Sequence, residues 1–326
     1  MSNRKNLVLQ ARALLYEYGQ KGLDKAREIM LQEKIPYQPL QEAVQYFMAS
    51  WEDVLHPALL SLSCEAVGGN PEDTTNVAAA LVLLSGGADL HDDIIDQSVV
   101  KDSKPTVFGK FGKDLTVLAG DVLLFKGLYT LHNACDNLSQ EQRQSILELT
   151  KQAFFAVSSI EAKETSLRRK TDSAEEYFEM VKMKSAITEA TMKMGVILAK
   201  GTSVQMEILG SYGRTFSILF ALRDEFIDTF EVDELTNRAK NECLPLPVLL
   251  SYKNTKNAKN IAQLISGQIT ETEVERLLDI VLCSKETKGL KKEMFSMVKA
   301  EGKKLRLLKM HKSVFMLLLK STVEDL

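Results

Sequence analysis

Turn-forming residues are scarce in this sequence. Its 326 residues include only 17 glycines and 7 prolines, and no convincing run alternates apolar with polar residues. A fold made of many short strands needs frequent turns, so this composition disfavours one. With 45% hydrophobic and 26% charged residues, the chain has the composition of an ordinary globular protein. Long helices are therefore the expected elements.

Clustered cysteine and a strong excess of charge are also missing. The formal net charge is −3, which gives no reason to expect a nucleic-acid partner. No apolar run looks long enough to span a bilayer, so we expect a cytoplasmic protein with at most peripheral membrane contact, through residues 305–319. The four cysteines lack the paired spacing of a zinc site: Cys64, Cys135, Cys243 and Cys283.

Apolar residues recur at spacings of three and four along nearly the whole chain, which is the pattern of amphipathic helices. We expect an all-α fold: one domain over residues 1–326, built as a single large helical bundle around a central cavity. Between the expected helices, Ser103-Lys104-Pro105 predicts a loop. The longest of these helices are expected over about 74–97, 111–133, 139–170, 173–200 and 204–231.

A first acidic motif closes the helix expected over 74–97. Asp92 and Asp96 are one turn apart and share a helix face, with Asp93 beside them. Like charges at this spacing repel each other, and the motif follows an apolar run that should be buried. Carboxylate oxygens suit Mg²⁺. Taken alone, the motif fits a metal site and an exposed acidic helix end equally well.

A second acidic motif, with Asp224, Glu225 and Asp228, closes the helix expected over 204–231 in the same way. Two such motifs on separate helices can face each other across a bundle and hold a diphosphate through shared metal ions. The matched pair is a far more specific signal than either motif alone. It predicts a site for Mg²⁺ and a diphosphate.

In these two motifs the chain resembles the trans-isoprenyl diphosphate synthase (polyprenyl synthetase) family. Further segments follow in the family's order over roughly residues 40–250. They are Ser63-Cys64-Glu65-Ala66-Val67-Gly68-Gly69, Leu90-His91-Asp92-Asp93-Ile94-Ile95-Asp96, Lys104-Pro105-Thr106-Val107, Phe111-Gly112, Leu118-Ala119-Gly120-Asp121 and Met183-Lys184-Ser185-Ala186.

The resemblance implies a prenyltransferase of isoprenoid biosynthesis and, by analogy with family members, a homodimer. Such an enzyme ionises an allylic prenyl diphosphate with two or three Mg²⁺ ions and elongates it with isopentenyl diphosphate. The implied metal ligands and catalytic acids are Asp92, Asp96 and Asp224, assisted by Asp93, Glu225 and Asp228.

The resemblance also implies a set of residues that bind the substrate diphosphate. Lys184, with a catalytic role, and Ser185 match the family's Lys-Thr pair, although an ordinary salt bridge is the alternative for Lys184. Lys101 stands where the family has an arginine, and it keeps the charge but not the two-pronged geometry. Arg223 and Lys240 complete the set, although the family's lysine aligns more naturally with Asn241 than with Lys240.

Several positions depart from the family's pattern. Where the family has a Gly-Lys-x-x-Arg-Pro segment for isopentenyl diphosphate, this chain has residues 52–57, with Asp53 and Val54 in place of cations. Ser85 replaces a histidine, and Asp102 replaces an arginine. Each lost charge-assisted hydrogen bond contributes about 1.5–3 kcal/mol, so we expect weak isopentenyl diphosphate binding.

Three functions remain open at this point. The first is chain elongation with a weakened isopentenyl site. The second is ionisation with another fate, either terpene cyclisation or transfer to a different acceptor. The third is a non-catalytic subunit of a heteromeric synthase. Gly87 and Ala88, just before Asp92, either leave room for a long prenyl tail or allow two helices to pack closely.

Overall fold

Helices make up nearly all of the secondary structure in the computed structural model, which describes residues 6–101, 103–308 and 310–324. Two short 3₁₀ helices span Pro71–Thr74 and Leu305–Leu307. The α-helices are α1 Leu7–Leu31, α2 Gln38–Ser50, α3 Leu55–Ala66, α4 Thr75–Ile95, α5 Val107–Phe111, α6 Lys113–Ala134, α7 Gln140–Thr165, α8 Ala174–Lys184, α9 Ala186–Leu198, α10 Ser203–Phe230, α11 Val232–Asn241, α12 Leu246–Ser251, α13 Thr255–Ile265, α14 Glu271–Cys283, α15 Lys285–Lys304 and α16 Lys312–Ser321.

The two helices that carry the acidic motifs lie close to the predicted spans. α10 begins after a capping box, in which Thr202 and Gln205 satisfy each other's backbone N–H groups. Its inner face adds Tyr212, Phe216 and Phe226 to the largest hydrophobic cluster. The all-α prediction is confirmed, and the buried face of α10 fixes where the second motif lies.

The helix expected over 173–200 is divided into α8 and α9 at Ser185. The Ser185 hydroxyl donates a hydrogen bond to the Lys182 carbonyl at 2.5 Å, and the Ser185 backbone N–H points to the same oxygen at 3.4 Å. This local bonding tightens the turn and competes with the regular helix ladder. The apolar periodicity runs through the break, which is why the sequence predicts one helix there.

The loop predicted around Ser103-Lys104-Pro105 contains a short hairpin. β1, Val100–Lys101, pairs antiparallel with β2, Lys104–Pro105, and Lys101 lies opposite Lys104. Two-residue strands have no alternation that a sequence pattern could reveal. The hairpin places Lys101 against the end of α4.

Gly87 lies where α4 crosses α6. A Cβ atom on Gly87 would be 2.7 Å from Leu124 Cγ and 2.9 Å from the Gly120 carbonyl oxygen of α6. Without a side chain, the two helices approach closely. The small residues before Asp92 have two interpretations, and for Gly87 the structure supports close helix packing.

α6 corrects the expectation that no segment reaches membrane-spanning length. Among the described residues it is the one helix long and apolar enough to cross a bilayer, judged by length and composition only. In its most apolar window, 39% of the residues are buried in the fold. Core helices of soluble proteins often have such a composition, so this is weak evidence for a membrane span.

Candidate active site

The middle acid of the first motif is held by a cation. Asp93 is buried in the last turns of α4, and Lys101 Nζ lies 2.7 Å from its Oδ1. The same ammonium lies 3.2 Å from Asp89, one turn earlier. Burial raises the pKa of Asp93 to about 6, and Lys101 limits the rise. Lys101 is thus already neutralised by two carboxylates.

The outer acids of the first motif differ in their partners. Asp92 Oδ1 is buried and has no hydrogen-bond partner among the described residues. Burial raises the pKa of Asp92, and the neighbouring carboxylates add to the rise. Asp96 accepts a hydrogen bond from Arg168 Nη2 at 2.8 Å. Burial, followed by the charge of Asp92, raises the pKa of Asp96 to about 7.

In the second motif, too, some acids are paired with a cation and one acid is not. Glu225 is buried and accepts hydrogen bonds from Arg238 Nη2, from the Tyr177 hydroxyl at 2.8 Å and from the Leu246 backbone N–H at 2.6 Å. Asp228 also pairs with Arg238. Burial raises the pKa of Asp228 to about 6, and Arg238 opposes the rise. One buried guanidinium therefore compensates two of the three acids.

Asp224 is the acid that Arg238 leaves free. Its carboxylate has no hydrogen bond or ion pair within the described ranges. Burial, followed by the charges of Asp228 and Glu225, raises its pKa to about 7. Asp92 and Asp224 are thus the unpaired first acids of two similar motifs, and both are half-buried. A carboxylate partly withdrawn from water is costly unless a cation compensates it.

The segment that follows the second motif lies against the end of the first. Asn237 Nδ2 on α11 lies 3.5 Å from the Asp96 carbonyl oxygen. Burial and the charge of Asp96 raise the pKa of nearby Glu242 to about 8. This end of the bundle therefore gathers buried carboxylates, and oxygen donors of this kind fit Mg²⁺. In the described part of the chain, however, no three acidic, imidazole or thiol groups form a closed metal cluster.

Lys184 and Ser185 do not present free groups. Lys184 Nζ lies 2.6 Å from Glu164 and 3.1 Å from Glu161, both on α7. Burial opposes its charge, but these glutamates and the more distant Asp92 raise the pKa of Lys184. The Ser185 hydroxyl is occupied by the Lys182 carbonyl. Lys184 therefore forms salt bridges in the structure, which is the alternative to a ligand role. These salt bridges lie next to the first motif.

The side chains of Arg223 and Lys240 do not form a simple diphosphate site either. Arg223 Nη1 donates hydrogen bonds to the carbonyl oxygens of Ser321 and Glu324, at 3.3 and 2.7 Å, and so anchors the end of α16. The Lys240 side chain is exposed, and its backbone carbonyl accepts hydrogen bonds from Arg169. Asp102, a predicted departure from the family's pattern, lies outside the described residues.

Sequence reasoning missed two cations of this site. Arg168 lies in the connection after α7, and Arg238 lies ten residues beyond Asp228 on α11. Neither belongs to a motif, and an isolated arginine near a polar segment usually marks a solvated surface. Only the tertiary structure brings each one to a motif carboxylate.

A cavity of about 1030 Å³ begins beside Asp93 and Lys101 and runs towards the N-terminal ends of α1 and α3. Asp53 lies in its wall, with its side chain only 7% exposed. Its Oδ2 accepts hydrogen bonds from His56 Nδ1 at 2.7 Å and from the Ser85 hydroxyl at 2.6 Å. Two of the predicted departures, Asp53 and Ser85, thus form one hydrogen-bonded cluster with His56.

Curated proteins with similar sequences are named as synthases of prenyl diphosphates. A short chain isoprenyl diphosphate synthase from Methanothermobacter thermautotrophicus is 28% identical over 229 residues, which is 70% of this chain and 69% of that protein. Geranylgeranyl diphosphate and pyrophosphate synthases from Arabidopsis thaliana and several archaea match over 56–64% of their own lengths.

Solved structures share the whole fold. Geranylgeranyl pyrophosphate synthetase from Pyrococcus horikoshii Ot3 aligns with a TM-score of 0.85 at 24% identity, covering 97% of this chain and 99% of that one. Polyprenyl synthase from Caulobacter crescentus CB15, complexed with calcium and isoprenyl diphosphate, aligns with a TM-score of 0.75 at 17% identity, covering 98% of both chains.

A family model for polyprenyl synthetase matches residues 37–281. This range contains both acidic motifs, the cavity segment around Asp53 and all the helices between them. The match therefore extends over most of the chain, and the chain belongs to the polyprenyl synthetase family.

Proposed function

We propose that this protein is a Mg²⁺-dependent prenyltransferase that ionises an allylic prenyl diphosphate and transfers the prenyl group to an acceptor. One observation carries the proposal: among the described residues, Asp92 and Asp224 are half-buried carboxylates with no hydrogen bond or ion pair, at the ends of two motif helices. Family membership and the synthases among its relatives support the same activity.

In this proposal the six motif acids have two roles. Asp92 and Asp224, with Asp96, would ligate two or three Mg²⁺ ions together with the substrate diphosphate. Asp93, Glu225 and Asp228 assist by fixing the helix ends through Lys101 and Arg238. Bound Mg²⁺ supplies positive charge that stabilises the leaving diphosphate as its carbon–oxygen bond breaks.

Other side chains support ionisation from the same end of the bundle. Lys184 and Arg168 place positive charge beside Asp92 and Asp96. Both cations are paired with carboxylates, so they balance the charge of the site before substrate enters. Phe216 and Phe220 line the adjoining cavity and give the prenyl cation an apolar wall that excludes water.

The family's ordinary acceptor is isopentenyl diphosphate, and chain elongation is the first candidate outcome. A second candidate is transfer to another acceptor. It is favoured by Asp53, a carboxylate in the cavity wall bonded to His56 and Ser85 where the family's pattern has cations. A fixed negative charge there disfavours a second diphosphate.

A homodimer and a cytoplasmic location are part of the proposal. α6 exposes four large apolar side chains, and α7 exposes two more. Such a patch is typical of a subunit interface, and it accounts for the apolar composition of α6 without a bilayer. The residues are Leu118, Phe125, Leu128, Tyr129, Phe154 and Phe155. A non-catalytic subunit that pairs with a second synthase chain through this patch is the remaining alternative.

The proposal is tested by incubating the purified protein with geranyl, farnesyl or geranylgeranyl diphosphate, with Mg²⁺ or with a chelator. Isopentenyl diphosphate is present in half of the samples. Pyrophosphate release is measured and products are identified by mass. We expect Mg²⁺-dependent consumption of at least one allylic substrate.

Matched variants separate the motif acids from general charge effects. Asp92→Asn and Asp224→Asn should each abolish release, whereas Asp279→Asn, on the exposed face of α14, should leave it unchanged. If no allylic substrate is consumed by the protein alone, the enzymatic proposal is wrong. Recovery of activity on mixing with a co-purifying synthase chain would then support the subunit alternative.

A further inference from the structure

The cavity wall contains a hydrogen-bonded pair, Asp53 and His56, that no metal or diphosphate role uses. Asp53 accepts from His56 Nδ1 at 2.7 Å and from the His56 backbone N–H at 3.2 Å. Ser85 adds a third donor at 2.6 Å. These contacts fix the imidazole in one orientation. Its Nε2 has no partner among the described residues and is the ring nitrogen left for a ligand.

Among the described residues that line the cavity, the cations Lys101 and Arg223 are already bonded to other groups of the protein. Lys101 is shared by Asp89 and Asp93, and Arg223 is bonded to the backbone at the end of α16. Glu52 and Asp53 add negative charge to the same wall, and Glu52 accepts a hydrogen bond from Tyr16. Arg12 and Lys104 also line the cavity, and their side chains are exposed to water. Charge therefore disfavours an anionic acceptor.

Several aromatic side chains line the same cavity. Trp51 stacks on Phe47 with ring centroids 5.0 Å apart, and Phe216 lies 6.0 Å from Phe220. Tyr16 and Tyr46 face the same space. Rings of this kind pack well against a flat aromatic ligand. The shape and chemistry fit an uncharged aromatic molecule better than a branched C5 diphosphate.

We infer that this cavity binds an uncharged aromatic acceptor with a phenolic hydroxyl, and that His56 is the catalytic base for its prenylation. The inference rests on the proposed ionisation of an allylic diphosphate. The allylic carbon–oxygen bond breaks and pyrophosphate leaves. The phenol oxygen forms the new bond to the allylic carbon, and its proton passes to His56 Nε2 and later to solvent. Asp53 is a positioning residue that holds Nδ1–H and stabilises the imidazolium.

The test supplies an allylic diphosphate and Mg²⁺ together with 1-naphthol, 4-methylphenol or isopentenyl diphosphate, separately and in competition. Pyrophosphate and organic products are quantified by mass. We expect an aryl prenyl ether in preference to the elongated diphosphate. Prenyl alcohol, from water, is the expected minor product.

His56→Asn is the critical variant. The asparagine amide can reach Asp53 as Nδ1 does, but nothing replaces Nε2. Because a general base typically contributes about 10²–10⁴-fold, the ratio of ether to prenyl alcohol should fall by about 100-fold or more. A plot of the wild-type rate of ether formation against pH should have a rising limb, and the plot for His56→Asn should lack it. Asp53→Asn should move that limb towards the ordinary histidine range, because Asp53 is the charged group that contacts the ring in the described structure. Asp279→Asn serves as the unaffected control.

Each result has a distinct meaning. Pyrophosphate release with elongated diphosphate as the main product overturns this inference and leaves the proposed function standing. If ether formation is unchanged in His56→Asn and in His56→Gln, His56 is not the catalytic base. No pyrophosphate release with any acceptor overturns the inference and the proposed function together. Circular dichroism spectra equal to wild type establish that the variants are folded.

Discussion

Arg238 Nη2 donates hydrogen bonds to both carboxylate oxygens of Glu225, at 3.2 and 3.3 Å. The same guanidinium reaches Asp228, the Tyr177 hydroxyl at 2.6 Å and, through Nε, the Cys243 carbonyl at 2.9 Å. Arg238 thereby joins the second motif on α10 to α8 and to the segment after α11. The arrangement of the second motif and the segments around it depends on this one buried side chain.

Replacing Arg238 with methionine should strongly destabilise the protein. The change leaves the buried Glu225 carboxylate without its cation, which typically costs about 3–5 kcal/mol. Urea unfolding followed by circular dichroism measures the loss. Arg238→Met/Glu225→Met, which removes both charges, should recover much of it. Equal destabilisation of the single and double variants would contradict the view that charge compensation is the main role of Arg238.

Asp92→Asn should have opposite effects on stability and on ligand binding. Removing an unpaired buried charge should raise the free energy of unfolding by about 1 kcal/mol. Asp93→Asn should instead lower it, because it breaks the pair with Lys101. Mg²⁺ with inorganic pyrophosphate should raise the melting temperature of the wild type but not of Asp92→Asn, since a ligand stabilises only the state that binds it. A thermal shift equal in both proteins would remove Asp92 from the proposed metal site.

The sequence predicts the all-α class, the two motif helices and the acids that close them, because helix periodicity and acidic spacing are local patterns. It does not predict which acids are already paired. Asp92 and Asp93 are neighbours in one motif, yet one is unpartnered and the other is held by Lys101 from the hairpin. Arg238 and Arg168 reach motif carboxylates only through tertiary packing. The sequence shows that Asp53 stands where the family has a cation, but its hydrogen bonds to His56 and Ser85 are found only in the structure.

The pair of Asp53 and His56 predicts a definite pH window for stability. Burial opposes both charges, but the pKa of Asp53 is lowered by His56 and Ser85, and the pKa of His56 is raised by Asp53. The contribution of Asp53 is present above its ordinary value of 3.8 and is lost as pH falls through its lowered pKa. The contribution of His56 is present below 6.5 and is lost as pH rises through its raised pKa.

Both contributions are therefore complete only between those two ordinary values. His56→Leu should cost about 1.5–3 kcal/mol in that window, the usual worth of a hydrogen bond to a charged group, and less at alkaline pH, because leucine donates no hydrogen bond to Asp53. Chemical denaturation at a series of pH values gives the difference between the two proteins. A cost that stays constant from acidic to alkaline pH would mean that the ion pair is not its source.

Leu128→Asp should dissociate the proposed homodimer. Leu128 is 52% exposed on α6, beside Phe125 and Tyr129, and a charge in the centre of an apolar interface is poorly tolerated. Sedimentation velocity should show a dimer for the wild type and a monomer for the variant. Leu9→Asp, at a leucine 64% exposed on α1, is the matched control and should remain dimeric. A wild-type protein that sediments as a monomer would refute the dimer outright.

Gly87→Ala tests whether the small residue before Asp92 serves packing. A Cβ atom there lies 2.7 Å from Leu124 Cγ and 2.9 Å from the Gly120 carbonyl oxygen, so α4 and α6 must move apart. Overpacking of this kind typically costs about 1–3 kcal/mol. Gly289→Ala is the matched control, because no atom lies within 4 Å of a Cβ at that helical position. It should instead stabilise the protein by about 0.5–1 kcal/mol, through the better helix propensity of alanine. Thermal unfolding of the two variants should therefore shift in opposite directions, and a stabilising Gly87→Ala would show that the α4–α6 contact has room to spare.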